Sequence, residues 1–295
     1  MKKTESLVDS EWLVRALGAM NSQSLSENIP LSIIETPPQN NPKIVIVDCR
    51  FELANSNWGE TEYNKSHIPG AYYLNLDRDL SGEVRQHGGR HPLPNINKLE
   101  QKFSNLGIIK NETLVVAYDD SRFAFAARLW WLLRYLGHDK VALLDGGWNG
   151  WVDRGYPVTN AIPELKSGNF TATPNSDWLV DIEMVKAAKD NDSVIVIDSR
   201  DSDRYTGLRE PIDPIAGSIP GALNSPWKQV TNDSGYLQPL KQQQLWNNYQ
   251  DAEEIIVYCG SGVTACVNLF SLELAGFTNT KLYPGGWSDW CSYLN

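Results

Sequence analysis

The sequence predicts an α/β protein built from two similar domains, each a parallel sheet flanked by helices on both faces. Three observations carry this expectation. A chain of 295 residues is long enough for about two domains of ordinary size. Its strand-like segments are continuous apolar runs between helical stretches, the pattern of strands covered on both faces of a parallel sheet. Finally, those segments recur in the same order about 150 residues later, a period far too long for a solenoid and so a sign of domain duplication.

In chain order, Asp9 precedes an apolar-periodic stretch to Leu17 and reads as the cap of a first helix. Lys43-Ile44-Val45-Ile46-Val47-Asp48-Cys49-Arg50 is a buried strand ending in Asp-x-Arg, and Ser193-Val194-Ile195-Val196-Ile197-Asp198-Ser199-Arg200 repeats it. His67-Ile68-Pro69-Gly70-Ala71 matches Ser218-Ile219-Pro220-Gly221-Ala222. Leu114 to Asp119 matches Glu254 to Cys259, and Asp145-Gly146-Gly147-Trp148 matches Pro284-Gly285-Gly286-Trp287. Phe125 to Leu136 reads as a helix ended by Gly137. The stretch after Gly155, rich in Pro, Asn, Ser and Thr, reads as a linker, giving an N-terminal domain over 1–157, a linker over 158–175 and a C-terminal domain over 176–295.

Composition narrows the function. The chain has 26 basic against 36 acidic residues, a net charge of −10 without a basic run, which argues against nucleic acid and anionic membrane as partners. No apolar run approaches the ~18 residues of a membrane span, and the opening Met1-Lys2-Lys3-Thr4-Glu5-Ser6 lacks an apolar signal core. The four cysteines are sparse and irregularly spaced, as in a reducing compartment, so a cytoplasmic location is expected. There is no CxxC or HxxxH pattern, so no metal site is expected, and nothing calls for a cofactor.

The chemistry concentrates in Cys259-Gly260-Ser261-Gly262-Val263-Thr264, a tight loop between the strand ending at Tyr258 and a helix that begins near Thr264. Reactive loops of parallel sheets lie at the carboxyl ends of strands. Gly260 and Gly262 are expected to take positive φ, turning loop N–H groups inward as an anion nest reinforced by the helix N-terminus. A thiol in such a setting ionises readily, which makes Cys259 the candidate nucleophile. Cys266, two helical turns on, is expected to pack rather than react.

This loop resembles the active-site loop of the rhodanese superfamily of sulfurtransferases, and within it the CG[ST]GVT form of the 3-mercaptopyruvate sulfurtransferases. The thiosulfate-using members more often carry Arg and Lys after the cysteine. The resemblance runs from Val8 to Trp290 and implies tandem rhodanese-like domains, the first inactive and the second catalytic. Here Asp119 stands in the position of Cys259, and a carboxylate cannot carry a sulfane sulfur. The resemblance further implies transfer from a small-molecule donor, through a Cys259 persulfide, to a thiol acceptor such as thioredoxin or glutathione, or to cyanide. Arg204 matches the arginine that binds the donor carboxylate, and Arg209 is the nearest match to a second one. Ser261, with His67 from the first half, matches a proton relay to the departing enolate, although the carboxylate partner has no clear counterpart beyond Glu60 or Glu62. The roles of His87 and His91 stay open.

Other readings compete. A thiosulfate sulfurtransferase would use the same cysteine, but Gly260 and Ser261 offer no cation for a dianionic donor. A phosphatase of the Cys-x5-Arg type is disfavoured because Ala265 stands where the arginine is needed. A non-catalytic binding module suits the first domain better than the second, whose cysteine loop is intact.

Overall fold

The structure, a computed structural model, describes residues 6–20 and 43–294. The opening residues through Glu5, on which the expectation about an export signal partly rests, lie outside the described residues.

Two compact units form. The first contains strands β1 (Leu7–Val8), β2 (Ile44–Asp48), β3 (Ala71–Tyr73), β4 (Leu114–Tyr118) and β5 (Val141–Leu144). With them are helices α1 (Ser10–Met20), α2 (Trp58–Lys65), α3 (Ile96–Asn105), α4 (Ala126–Tyr135) and α5 (Gly147–Asp153). Its sheet order is β1-β5-β4-β2-β3, and every pairing is parallel. The second unit contains β6 (Val194–Asp198), β7 (Leu223–Asn224), β8 (Glu254–Tyr258) and β9 (Thr280–Leu282), in the parallel order β7-β6-β8-β9. Its helices are α6 (Ile182–Ala188), α7 (Ser202–Tyr205), α8 (Pro239–Trp246), α9 (Ala265–Ala275) and α10 (Gly286–Trp290). The apolar runs fold as the buried central strands, and each unit has its own core, around Ile46, Val116 and Trp151 in one and Val196, Ile256 and Trp287 in the other.

The duplication is visible as a repeated polar pin. Arg50 lies along Asp48 (Nη2–Oδ2 2.7 Å) and donates to Ser66 O at 2.7 Å. Arg200 does the same with Asp198 (2.6 Å) and Gly217 O (2.7 Å). A buried tyrosine stands by each aspartate, Tyr118 and Tyr258, its hydroxyl pushed well above its ordinary value, chiefly by burial. Each arginine also faces a tryptophan, Trp148 at 4.1 Å and Trp287 at 5.1 Å from the ring centroid. For both arginines burial is the largest single effect and opposes the charge, yet the hydrogen bonds to the aspartate, its negative charge and the other acidic neighbours together outweigh it and hold the guanidinium above its ordinary value. Arg50 and Arg200 thus each brace a strand end against a backbone carbonyl of the following turn.

Two segments depart from chain order. Residues 77–95, between β3 and α3, pack as part of the second unit, and Asp233–Tyr236 pack as part of the first. The stretch expected as a linker runs largely along the first unit. Thr159 pairs with His67, Lys166 N donates to Asn105 O at 3.1 Å, and Asn169 N donates to Ile108 O at 3.1 Å. Membership of the second unit begins at Thr173.

Candidate active site

Cys259 follows the last residue of β8 and is buried, 2% exposed. The loop behind it is held by the first turn of α10: Trp287 N donates to Cys259 O at 2.8 Å and Ser288 N to Gly260 O at 2.9 Å. This explains the repeated Gly-Gly-Trp signature. Gly286 has φ +61°, and a Cβ there would lie 2.5 Å from Cys259 O. Gly262 turns the loop with φ +71°, and its missing side chain leaves room for Pro284 O. Cys266 packs at the start of α9 with its Sγ 3.4 Å from Gly262 O. Thr264 occupies the N-cap position of α9, but its side chain makes no capping bond. Val263 is buried beside it.

Gly260 differs from expectation. Its φ is not positive. The position is glycine for lack of space: a Cβ would lie 2.8 Å from Arg90 Nη2 and 3.6 Å from both Arg204 Nη1 and Nη2. Two guanidinium groups thus converge beside the cysteine.

Both are braced by carboxylates. Arg204 grips Glu210 with two bonds (Nε–Oε2 3.1 Å, Nη2–Oε1 2.7 Å) and reaches Asp213 Oδ2 at 3.2 Å. Asp213 Oδ1 accepts from Arg90 Nη1. Glu210 also meets Arg200 at 3.2 Å. An alternating chain of charge therefore runs Asp198–Arg200–Glu210–Arg204–Asp213–Arg90, ending at the Cys259 loop. Burial lowers the Arg90 guanidinium from its ordinary value; Cys259 opposes that as the largest charge effect, and Arg204 adds to it. Arg209, expected as a second carboxylate binder, is not part of this cluster. It lies more than half exposed and pairs with Asp203 at 2.6 Å. The spacing that suggested it fails because the chain turns at Glu210, whose carboxylate accepts from Ile212 N and Asp213 N. Arg90 takes the second cationic place.

The histidine is also different. His67 is fully buried, stacked on Tyr63, with Nδ1 2.7 Å from Tyr63 O and Nε2 3.2 Å from Ala161 O, all inside the first unit. Both ring nitrogens are occupied by backbone carbonyls, so His67 is a structural residue of its turn. At Ser261 stands His91, with Nδ1 2.7 Å from the serine Oγ. Its other nitrogen lies 3.3 Å from Asp77 Oδ1. A carboxylate at Nε2 favours the proton there, leaving Nδ1 to accept from the serine hydroxyl. Burial raises the Asp77 carboxyl above its ordinary value. Neither Glu60 nor Glu62 fills this place.

Asp77, Arg90 and His91 all come from the segment 77–95. It is fastened by Gly88 N to Asp289 Oδ1 (2.7 Å), Arg90 N to Ser288 Oγ (3.1 Å) and His87 Nδ1 at 2.7 Å from Ser292 Oγ. A signal existed in His87-Gly88-Gly89-Arg90-His91-Pro92, but nothing local says that this loop serves a cysteine 168 positions after His91 (259 − 91).

Among the described residues no cluster of His, Cys, Asp and Glu could hold a metal ion, and no helix is long and apolar enough to cross a membrane. Comparison with known proteins agrees with the fold. The family model described as "Rhodanese-like domain" matches twice, over residues 37–154 and 181–293. The chain is 42% identical over 255 residues to the "Probable 3-mercaptopyruvate sulfurtransferase" of Pseudomonas aeruginosa, covering 84% of this chain and 89% of that protein. It is 29% identical to the thiosulfate sulfurtransferase of Rattus norvegicus, covering 84% of this chain and 85% of that protein. Among solved structures, the 3-mercaptopyruvate sulfurtransferase of Escherichia coli superposes with a TM-score of 0.74 at 29% identity, covering 97% of this chain and all of the other. The chain belongs to the rhodanese family. It is an enzyme of the sulfurtransferase class.

Proposed function

We propose that this protein moves the sulfur of 3-mercaptopyruvate to a thiol, such as thioredoxin or glutathione, or to cyanide, through a persulfide on Cys259. The Cys259 thiolate attacks the donor sulfur, forming an S–S bond. The carbon–sulfur bond breaks, and its electron pair goes to the enolate of pyruvate. That carbon needs a proton, and the donor's own thiol proton balances the step. Ser261 delivers a proton from its hydroxyl and regains one through His91, whose tautomer Asp77 fixes. Arg204 holds the donor carboxylate. The acceptor then takes the outer sulfur and regenerates the thiolate, a ping-pong cycle.

The observation that carries this assignment is the chain Asp77–His91–Ser261 beside Cys259, with 2.7 Å between His91 Nδ1 and Ser261 Oγ. A proton relay is required when the leaving group is carbon and is idle when it is not. The test is kcat/KM for 3-mercaptopyruvate with a common thiol acceptor, in wild type and His91→Asn. General acid–base groups contribute about 10²–10⁴-fold, and a loss in that range is expected. Mass spectrometry of the donor-treated protein should place one extra sulfur on Cys259; a sulfur found on Cys49, Cys266 or Cys291 would sink the assignment.

A further inference from the structure

The turn after β9 differs chemically from its copy after β5. In register with the shared Gly-Gly-Trp, the second copy has Tyr283, Ser288 and Asp289 where the first has Leu144, Asn149 and Gly150. The first copy has no room for a carboxylate there, because a Cβ at Gly150 would lie 2.6 Å from the Tyr236 hydroxyl. In the second copy Asp289 is 6% exposed, and both of its oxygens are engaged. Oδ2 accepts from the buried Tyr283 hydroxyl at 2.6 Å, and Oδ1 accepts from Gly88 N at 2.7 Å. The fit around that contact is close. Gly89 turns with φ +81°, a Cβ on it would run into Gly285 O, and Ser288 Oγ accepts from Arg90 N at 3.1 Å. His87 closes the other side, its ring stacked on Tyr293 with centroids 4.0 Å apart.

We propose that Asp289 is a positioning residue for sulfur transfer: oriented by Tyr283, its carboxylate clamps the main chain at Gly88 and thereby sets His91 against Ser261. This rests on the Ser261–His91 relay proposed above. A carboxylate suits the task, since a hydrogen bond from a backbone N–H to an ionised acceptor is shorter and stronger than one to a neutral group. His91 stands three residues beyond Gly88, so a shift of the clamped amide is carried along the chain to the imidazole. The 2.7 Å between His91 Nδ1 and Ser261 Oγ leaves little slack. A side-chain hydrogen bond is gone at about 3.6 Å, and a misplacement of about 1 Å can cost on the order of 10²-fold in rate. The catalytic copy thus carries a clamp, Tyr283 with Asp289, that Leu144 and Gly150 of the first copy lack.

The test joins kinetics to hydrogen exchange. Asp289→Ala should lower kcat for 3-mercaptopyruvate, with cyanide as acceptor, by roughly tenfold to hundredfold. Asp289→Asn, whose amide oxygen still accepts from Gly88 N, should stay within about threefold of wild type. On the His91→Asn background, Asp289→Ala should add no more than about threefold, because a residue that acts through His91 has nothing further to lose there. Asp289→Ala should also speed amide exchange by about tenfold or more in peptides from 77–95, while peptides from β6 and β8 stay unchanged. If Asp289→Ala does not fold, Tyr283→Phe serves, since it keeps the carboxylate but removes its orienting donor. It should loosen 77–95 and lower kcat by roughly threefold to tenfold, again only while His91 is present. Equal losses with and without His91, no recovery in Asp289→Asn, or unchanged exchange over 77–95 would overturn the proposal. A wild type that does not turn over mercaptopyruvate would instead bring down the proposed function, and exchange over 77–95 would still decide whether Asp289 holds this segment.

Discussion

After β4 the chain places Asp119, whose Oδ1 accepts from Ser121 N (2.9 Å) and Phe123 N (3.0 Å) and whose Oδ2 accepts from Phe125 N and Ala126 N (both 2.8 Å). After β8 it places Cys259 at the head of the equivalent strand–loop–helix turn. The first turn is an anion nest filled by its own side chain; the second presents a sulfur instead. The first also keeps a strained backbone, with Arg122 at φ +59° and Phe123 at φ +71°, where the second uses Gly262. Such non-glycine conformations cost about 1–3 kcal/mol each, and the four N–H bonds to Asp119 hold them in place. The crossing segments differ in the same sense. Residues 77–95 bring Asp77, Arg90 and His91 to the cysteine loop, whereas Asp233–Tyr236 lay the Tyr236 ring against Gly146, a Cβ there lying 2.5 Å away, and pair the phenol with Arg154. One unit fills this turn with its own carboxylate, and the other carries a buried thiol at the same place.

The largest effect that separates the two turns should come from Cys259→Ser, which is expected to abolish persulfide formation, read by mass spectrometry, with circular dichroism unchanged. A variant that still accumulated sulfur would end the comparison.

Next come the charged partners. Arg204→Ala should lower kcat/KM for 3-mercaptopyruvate by roughly tenfold to hundredfold, mainly through KM. Arg209→Ala, on the surface with Asp203, should stay within about twofold of wild type. If the two arginine variants proved equally impaired, the assignment of Arg209 to the surface would be wrong.

Asp119→Ala acts on stability instead. It strands backbone donors that the carboxylate now satisfies, a cost of about 2–4 kcal/mol and a Tm lower by roughly 5–10 °C. Sulfur transfer by the folded fraction should change by no more than about threefold. A hundredfold kinetic loss at unchanged Tm would mean that the first turn takes part in the chemistry.

The smallest effect concerns Asp120, whose carboxyl is pushed from 3.8 up to about 6 by burial and then by neighbouring Asp119. The folded protein holds this proton more tightly than the unfolded chain. Asp120 therefore costs nothing below its unfolded value and becomes destabilising as pH rises from 3.8 through about 6. Asp120→Asn should raise Tm at pH 7.5 by on the order of 2 °C and leave it unchanged at pH 4. A gain at both pH values would point to a cause other than the carboxylate charge.

The amino-acid sequence by itself determined the duplicated α/β plan, because continuous apolar strands and repeated turn signatures are local facts that the chain spells out twice. It also pointed to Cys259 as the candidate nucleophile, to the repeated Asp-x-Arg strand ends, to the replacement of cysteine by Asp119, and to Arg204, a candidate that lies a few residues after a strand end. Tertiary structure alone decided the partners of Ser261 and of the cysteine loop. His67 occupied the more conspicuous motif, yet its ring nitrogens are consumed by backbone carbonyls. His91 and Arg90 gain their places only because the segment 77–95 leaves the unit in which its sequence begins and packs on the other. Gly260 makes the same point: its glycine answers a guanidinium 170 positions earlier (260 − 90), not a local demand on φ. Periodicity and spacing report what neighbours along the chain must do; which side chains meet across a hundred or more residues is fixed by packing.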